Sequence, residues 1–210
     1  MDFAFYLKFF FALVAIINPV GLLPVFVGLT SDQTSEQRNH TGDVANFAVI
    51  IILIISLIAG QAILEVFNVS IPAFRIAGGI LIAIIALSML QGKLGEVKSN
   101  KEEDREFAAK DSVAVVPLAL PLMAGPGAIS SVVVYAAQYD SWQDTLGMSL
   151  AIIAFGLCSW MIFRLAPIIY KVLGKTGINV ITRIMGLIML AIAIEVMAAG
   201  LKGLFPQILS

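Results

Sequence analysis

Two short motifs, Asn18-Pro19-Val20-Gly21 and Gly125-Pro126-Gly127-Ala128, interrupt long uncharged runs at residues 9–29 and 112–139. Their chemistry is that of a helix backbone set free. Asn is a good N-cap, and Pro suits the first helical position, where no N–H is needed. Asn18-Pro19 is therefore expected to end one half-helix and start another, with Gly21 letting a ligand approach the main chain. Pro24 adds a second kink in the restarted piece. In the later motif, Pro117 and Pro121 disturb the run before Gly125-Pro126-Gly127 breaks it and Ala128-Ile129-Ser130-Ser131 resumes. Each restarted half-helix offers N–H groups and a positive dipole end. That suits a small ligand with a carboxylate, held by main-chain donors in place of a buried Arg. Ser130 and Ser131 either bond the ligand or return to a carbonyl one turn back.

The elements that must carry these breaks are membrane spans. Of 210 residues, 60% are hydrophobic and 13% charged, with a mean hydropathy of +0.98. Soluble domains carry about 25% charged residues. About 20 apolar residues cross the hydrocarbon as a helix. Runs at 9–29, 44–64, 76–92, 112–139 and 145–163 meet or approach that length, and 184–201 is interrupted only by Glu195. The fold class expected is an all-α membrane protein with six transmembrane helices. Met1-Asp2-Phe3 lacks a basic n-region, so the first run reads as a retained span.

Six spans place both termini on one side, and the loops divide the 13 basic residues unevenly. One side collects Arg38, Lys93, Lys98, Lys101, Arg105, Lys110, Arg164, Lys171, Lys175 and Arg183; the other holds Lys8, Arg75 and Lys202. Positive residues stay in the cytoplasm, so both termini are expected outside. A net charge of −1 gives no sign of a nucleic-acid partner. The single cysteine, Cys158, excludes an internal disulfide or a CxxC redox pair.

Sliding the chain by 108 places residues 75–92 over 183–200. Arg75/Arg183, Ile76/Ile184, Gly78/Gly186, Ile80/Ile188, Ala83/Ala191, Ile84/Ile192, Met89/Met197 and Gly92/Gly200 are identical. Near the same offset, Pro19 falls on Pro126. Spans one to three thus read as a repeat of spans four to six. A three-span unit ends on the side opposite its start, so its copy is inserted upside down, an inverted 3+3 repeat with broken helices 1 and 4. The units are residues 1–92 and 112–210, joined by a charged cytoplasmic linker at 93–111. Paired breaks in such repeats mark the substrate site of secondary transporters.

Glu195 is the one ionisable residue well inside a span. It is read as a coupling group, as a partner for a substrate ammonium, or as a residue solvated near the outer interface. Ala191 and Ala199 flank it by four residues and suggest a small-residue contact stripe. Arg75 and Arg183 open spans three and six and are expected to snorkel to opposite interfaces. Thr34-Ser35-Glu36-Gln37 reads as a capping box starting a short helix, with His40 solvated in the same loop. No metal cluster or nucleophile–base pair is visible, so no cofactor, no metal and no enzymatic activity are expected.

Ile17-Asn18-Pro19-Val20-Gly21-Leu22-Leu23-Pro24-Val25-Phe26 resembles the NPxGxxPxF signature of the MarC family. Residues 117–129 resemble that family's PLAxPLxAGPGxI segment. The resemblance implies a six-span bacterial inner-membrane protein akin to LysE-type exporters, with archaeal relatives regarded as transporters of glycine- and alanine-like amino acids. It carries over Asn18, Pro19 and Gly21, with Gly125, Pro126 and Gly127, as the substrate-site region. The expectation is a transporter of a small zwitterion, with H+ or Na+ as candidate coupling ions and the bilayer as partner. Export of branched-chain amino acids or drugs, and a scaffold that transports nothing, are the alternatives. Oligomeric state is not legible.

Overall fold

The computed structural model describes residues 3–30, 33–92, 118–119, 123–139 and 141–206. Among them lie seven helices and no strand: α1 (Phe3–Ile17), α2 (Leu23–Leu29), α3 (Ser35–Val66), α4 (Ile71–Leu90), α5 (Pro126–Ala136), α6 (Trp142–Arg164) and α7 (Ala166–Leu204). Helices α3, α4, α6 and α7 are long and apolar enough to cross a bilayer; α1 and α5 are shorter apolar helices. The linker 93–111, residues 112–117 and Pro121 lie outside the described residues.

Local signals explain where several helices start. Thr34 Oγ1 accepts the Gln37 N–H at 3.3 Å, and Gln37 Oε1 accepts the Thr34 N–H at 2.9 Å. The capping box is real, but it opens all 32 residues of α3 and not a separate short helix. No Gly or Pro between Ser35 and Gly42 interrupts the hydrogen-bond ladder, so polar and apolar segments run on as one rod. His40 is consequently an exposed helical residue. Helix α4 starts five residues before its uncharged run, because Ser70 Oγ accepts the Ala73 N–H and Pro72 suits the first turn. Helix α7 bends at Gly174, whose φ of 60° and ψ of 179° only glycine adopts without strain.

Packing follows from glycines. Helices α4 and α7 lie antiparallel in the most extensive contact of the fold. A Cβ on Gly79 would lie 3.0 Å from the Ala193 carbonyl, one on Gly186 3.1 Å from the Ala86 carbonyl, and one on Gly200 2.8 Å from the Pro72 carbonyl. Backbone meets backbone along the whole seam. Helix α3 packs on α6, α1 on α6, α5 on α3, α5 on α4, and α1 and α2 on α7. Ile17, Leu22 and Leu23 from the first break share one buried core with Met123, Ala124 and Ala128 from the second.

The expected contact stripe around Glu195 is on the wrong face. Ala191, Glu195 and Ala199 are all exposed, while Gly186, Met189, Ala193 and Gly200 are buried. Glu195 lies two residues past Ala193, about 200° around the helix. Its repeat mate Leu87 is exposed too.

Candidate functional site

The first break is built by one asparagine, but not as the expected helix cap: α2 restarts only at Leu23, behind Leu22 and without a side-chain cap, and Pro24 sits in its first turn and kinks nothing. The Asn18 N–H still donates to the Val14 carbonyl at 2.9 Å, and then the backbone turns left-handed, with φ of 47°. Asn tolerates that region better than other non-glycine residues. Its Oδ1 accepts the Gly21 N–H at 3.1 Å, its carbonyl accepts the Leu22 N–H at 3.2 Å, and the Val20 carbonyl accepts the Leu23 N–H at 3.2 Å. The turn therefore engages the Gly21, Leu22 and Leu23 N–H groups, three of the main-chain donors that the sequence suggested for a ligand. The Asn18 side-chain amide is a further donor. Asn18 is 2% exposed, and its Nδ2 has no partner among the described residues.

Gly21 is a glycine because of what faces it. A Cβ there would lie 2.2 Å from Asn18 Nδ2 and 3.0 Å from Thr182 Oγ1 of α7. Beside this close approach is a cavity of about 120 Å³ between the break, α4 and α7, walled by Gly21, Val25, Met89, Ile178, Asn179 and Thr182. One water needs a small fraction of that volume. Drug-sized pockets run about 300–1,000 Å³.

The second break has a different construction. The Ala124 N–H donates to the Ala119 carbonyl at 2.8 Å, a widened turn, and Gly125 is extended, with φ of −69° and ψ of 171°. Helix α5 starts at Pro126, and the Ala128 and Ile129 N–H groups both donate to the Gly125 carbonyl. Gly127 packs on α4, where a Cβ would lie 3.2 Å from Ile82 Cγ1. Gly125, Gly127 and Ala128 are buried, whereas Pro126 is exposed.

The two serines after this break differ from the other helical serines. Ser56, Ser88 and Ser149 each donate to the carbonyl four residues back, at 2.7–3.0 Å. Ser130 and Ser131 are buried, and their hydroxyls have no partner among the described residues. Ser130 Oγ occupies the notch left by Gly78 of α4. An unsatisfied buried polar group costs about 1–3 kcal/mol, which a visiting water or ligand offsets. Asn46 Oδ1 and Ser159 Oγ, on the α3–α6 pair, are in the same condition.

The structure thus brings Asn18, Pro19, Gly21, Gly125, Gly127, Ala128 and Ser130 into the buried interior and leaves Glu195 outside it. Tyr135 of α5 lies within electrostatic reach of Glu195.

Sequence reasoning missed Thr182 and the two ties on α6. At one end of α6, the Tyr6 hydroxyl of α1 donates to Asp144 Oδ1 at 2.8 Å. At the other, Trp160 Nε1 donates to Asp43 Oδ1 of α3 at 2.7 Å, and Arg164 Nη2 lies 3.0 Å from Asp43 Oδ2. Asp43→Asn should cost about 1 kcal/mol or less, since both charged groups are more than a third exposed. That is a Tm loss of about 2–4 °C. With Trp142→Phe leaving one of the two tryptophans, Trp160 emission should shift. Unchanged emission would mean the tie does not persist in solution.

The chain matches the profile described as MarC family integral membrane protein over residues 3–205. It is 55% identical over 209 residues to the UPF0056 membrane protein YhcE of Escherichia coli K12, covering 100% of this chain and 97% of that one. Against UPF0056 membrane protein YvbG of Bacillus subtilis it is 36% identical over 211 residues, covering all of both chains. A UPF0056 membrane protein of Pyrococcus abyssi is 37% identical over 193 residues, 92% of each chain. No solved structure matches the chain.

Proposed function

This chain belongs to the MarC family of integral membrane proteins, and on that premise we propose that it is a secondary transporter of small neutral amino acids. The reading is a six-span inner-membrane protein with both termini outside, built as an inverted 3+3 repeat. Helices α1 and α2 form one broken span, and the segment ending in α5 forms the other. Alternating access runs around the site between the breaks, with a proton or Na+ as coupling ion.

Reciprocal contacts support the repeat. Arg75 Cβ lies 3.1 Å from a Cβ built on Gly200, and Arg183 Nη2 lies 3.8 Å from one built on Gly92. Arg75 and Gly92 are the 108-residue mates of Arg183 and Gly200, so each contact is the other's image under exchange of the halves. One helix contact pairs likewise: α2 on α7 mirrors α5 on α4. Contacts of this reciprocal kind are what a two-fold relation produces. Broken helices at matching places in inverted halves are a transporter's device.

The observation that carries the substrate is the small cavity beside the first break, with buried polar atoms left unpaired at both breaks. It favours a glycine- or alanine-sized molecule over drugs or branched-chain amino acids. A thermal-shift screen of purified protein against the common amino acids tests this. Glycine, alanine or serine should raise Tm at millimolar concentration, and leucine and phenylalanine should not. Stabilisation by none of the small neutral amino acids would overturn the reading.

A further inference from the structure

The first break holds a donor pair that its fold does not use. Asn18 Nδ2 is buried and unpartnered among the described residues, and Thr182, 6% exposed, projects its hydroxyl at the same point from α7. Both atoms lie within 3.0 Å of the position a Gly21 Cβ would take. Gly21 and Thr182 also wall the 120 Å³ cavity. The Gly21, Leu22 and Leu23 N–H groups of the turn are already engaged. An amide N–H and a hydroxyl converging on one point are complementary to an oxyanion, and bonds to a charged acceptor are the strong ones.

We infer that the Asn18 amide and the Thr182 hydroxyl together anchor the carboxylate of the transported amino acid, while Met89 and Ile178 wall the cavity and cap substrate size. This rests on the reading of the chain as a small amino acid transporter. Asn18 then has two separable roles. Its Oδ1 caps the break and its Nδ2 binds substrate. Thr182 links the first break to α7, so substrate bridges the two elements. Met89 is fully buried between them, where shortening it enlarges the cavity without exposing new backbone.

Aspartate separates the roles, since it caps as well as asparagine but offers no amide donor. The experiment compares wild type, Asn18→Asp, Thr182→Val, Thr182→Ser and Met89→Ala in proteoliposomes at pH 8. The readouts are KM and maximal rate for labelled glycine and alanine, with Tm for fold. Asn18→Asp and Thr182→Val should raise KM on the order of ten- to a hundredfold. Tm should stay near wild type, and Thr182→Ser should restore KM. Met89→Ala should admit leucine. If Asn18→Asp proves poorly folded, Thr182→Val carries the test alone. Wild-type uptake with unchanged KM in Thr182→Val would overturn the anchor and leave the transport reading standing. Absence of uptake of any neutral amino acid by wild type would overturn both.

Discussion

Gly186→Leu is expected to abolish most folded protein in the membrane. A Cβ at Gly186 would lie 2.9 Å from Met89 Cβ, 3.1 Å from the Ala86 carbonyl and 3.3 Å from the Leu90 nitrogen. Two of those three are backbone atoms, which retreat only if α4 and α7 part. That seam is the largest helix contact in the fold and is antiparallel throughout, so a local wedge opens it over several turns. Overpacking of this kind costs about 3 kcal/mol or more, a Tm loss of roughly 6–12 °C for a chain this size. Gly28→Leu is the control, since no atom lies within 4 Å of a Cβ there. Melting of Gly186→Leu at the wild-type temperature would show that the seam is looser than drawn.

Gly21→Ala is expected to fold and to lose transport. The added methyl would sit 2.2 Å from Asn18 Nδ2 and 2.9 Å from Asn18 Cγ. Asn18 must therefore swing away, yet its Oδ1 holds the Gly21 N–H. Losing that cap costs about 1 kcal/mol, which a fold with this core survives. The methyl would also press on Thr182 Oγ1, 3.0 Å away. Uptake of labelled glycine should fall on the order of tenfold or more, while Tm drops by a few degrees. Wild-type flux in Gly21→Ala would remove the first break from the substrate path.

Both breaks and the capping box at Thr34 could be read in the sequence. They rest on local rules: Pro removes a donor, Thr caps, and Gly lets backbones approach. The proposed repeat rests on Arg and Gly recurring at one offset in an otherwise monotonous run. The site's inner detail was not legible. Asn18 bonds back to Gly21 because its backbone turns left-handed, and no spacing rule announces which donors such a turn consumes. Thr182 lies about 160 residues from Asn18 in a run where any polar residue looks incidental. Asp43, Trp160 and Arg164 are tied only because α3 and α6 lie side by side, which no local spacing announces. The Glu195 stripe failed for a geometric reason. Periodicity gives a face, and only packing says whether that face points inward. Here Gly186, Ala193 and Gly200 define the inner face, and Glu195 is nearly opposite.

The most direct measurement of the account is uptake by purified protein reconstituted into liposomes. Labelled glycine or alanine, offered under a pH or Na+ gradient, should accumulate in wild-type vesicles and exchange with unlabelled substrate inside. Vesicles carrying Gly127→Leu, blocked at the second break, should not accumulate it although the protein is inserted. No flux of any neutral amino acid under either gradient would contradict the account, as would equal flux through the Gly127→Leu protein.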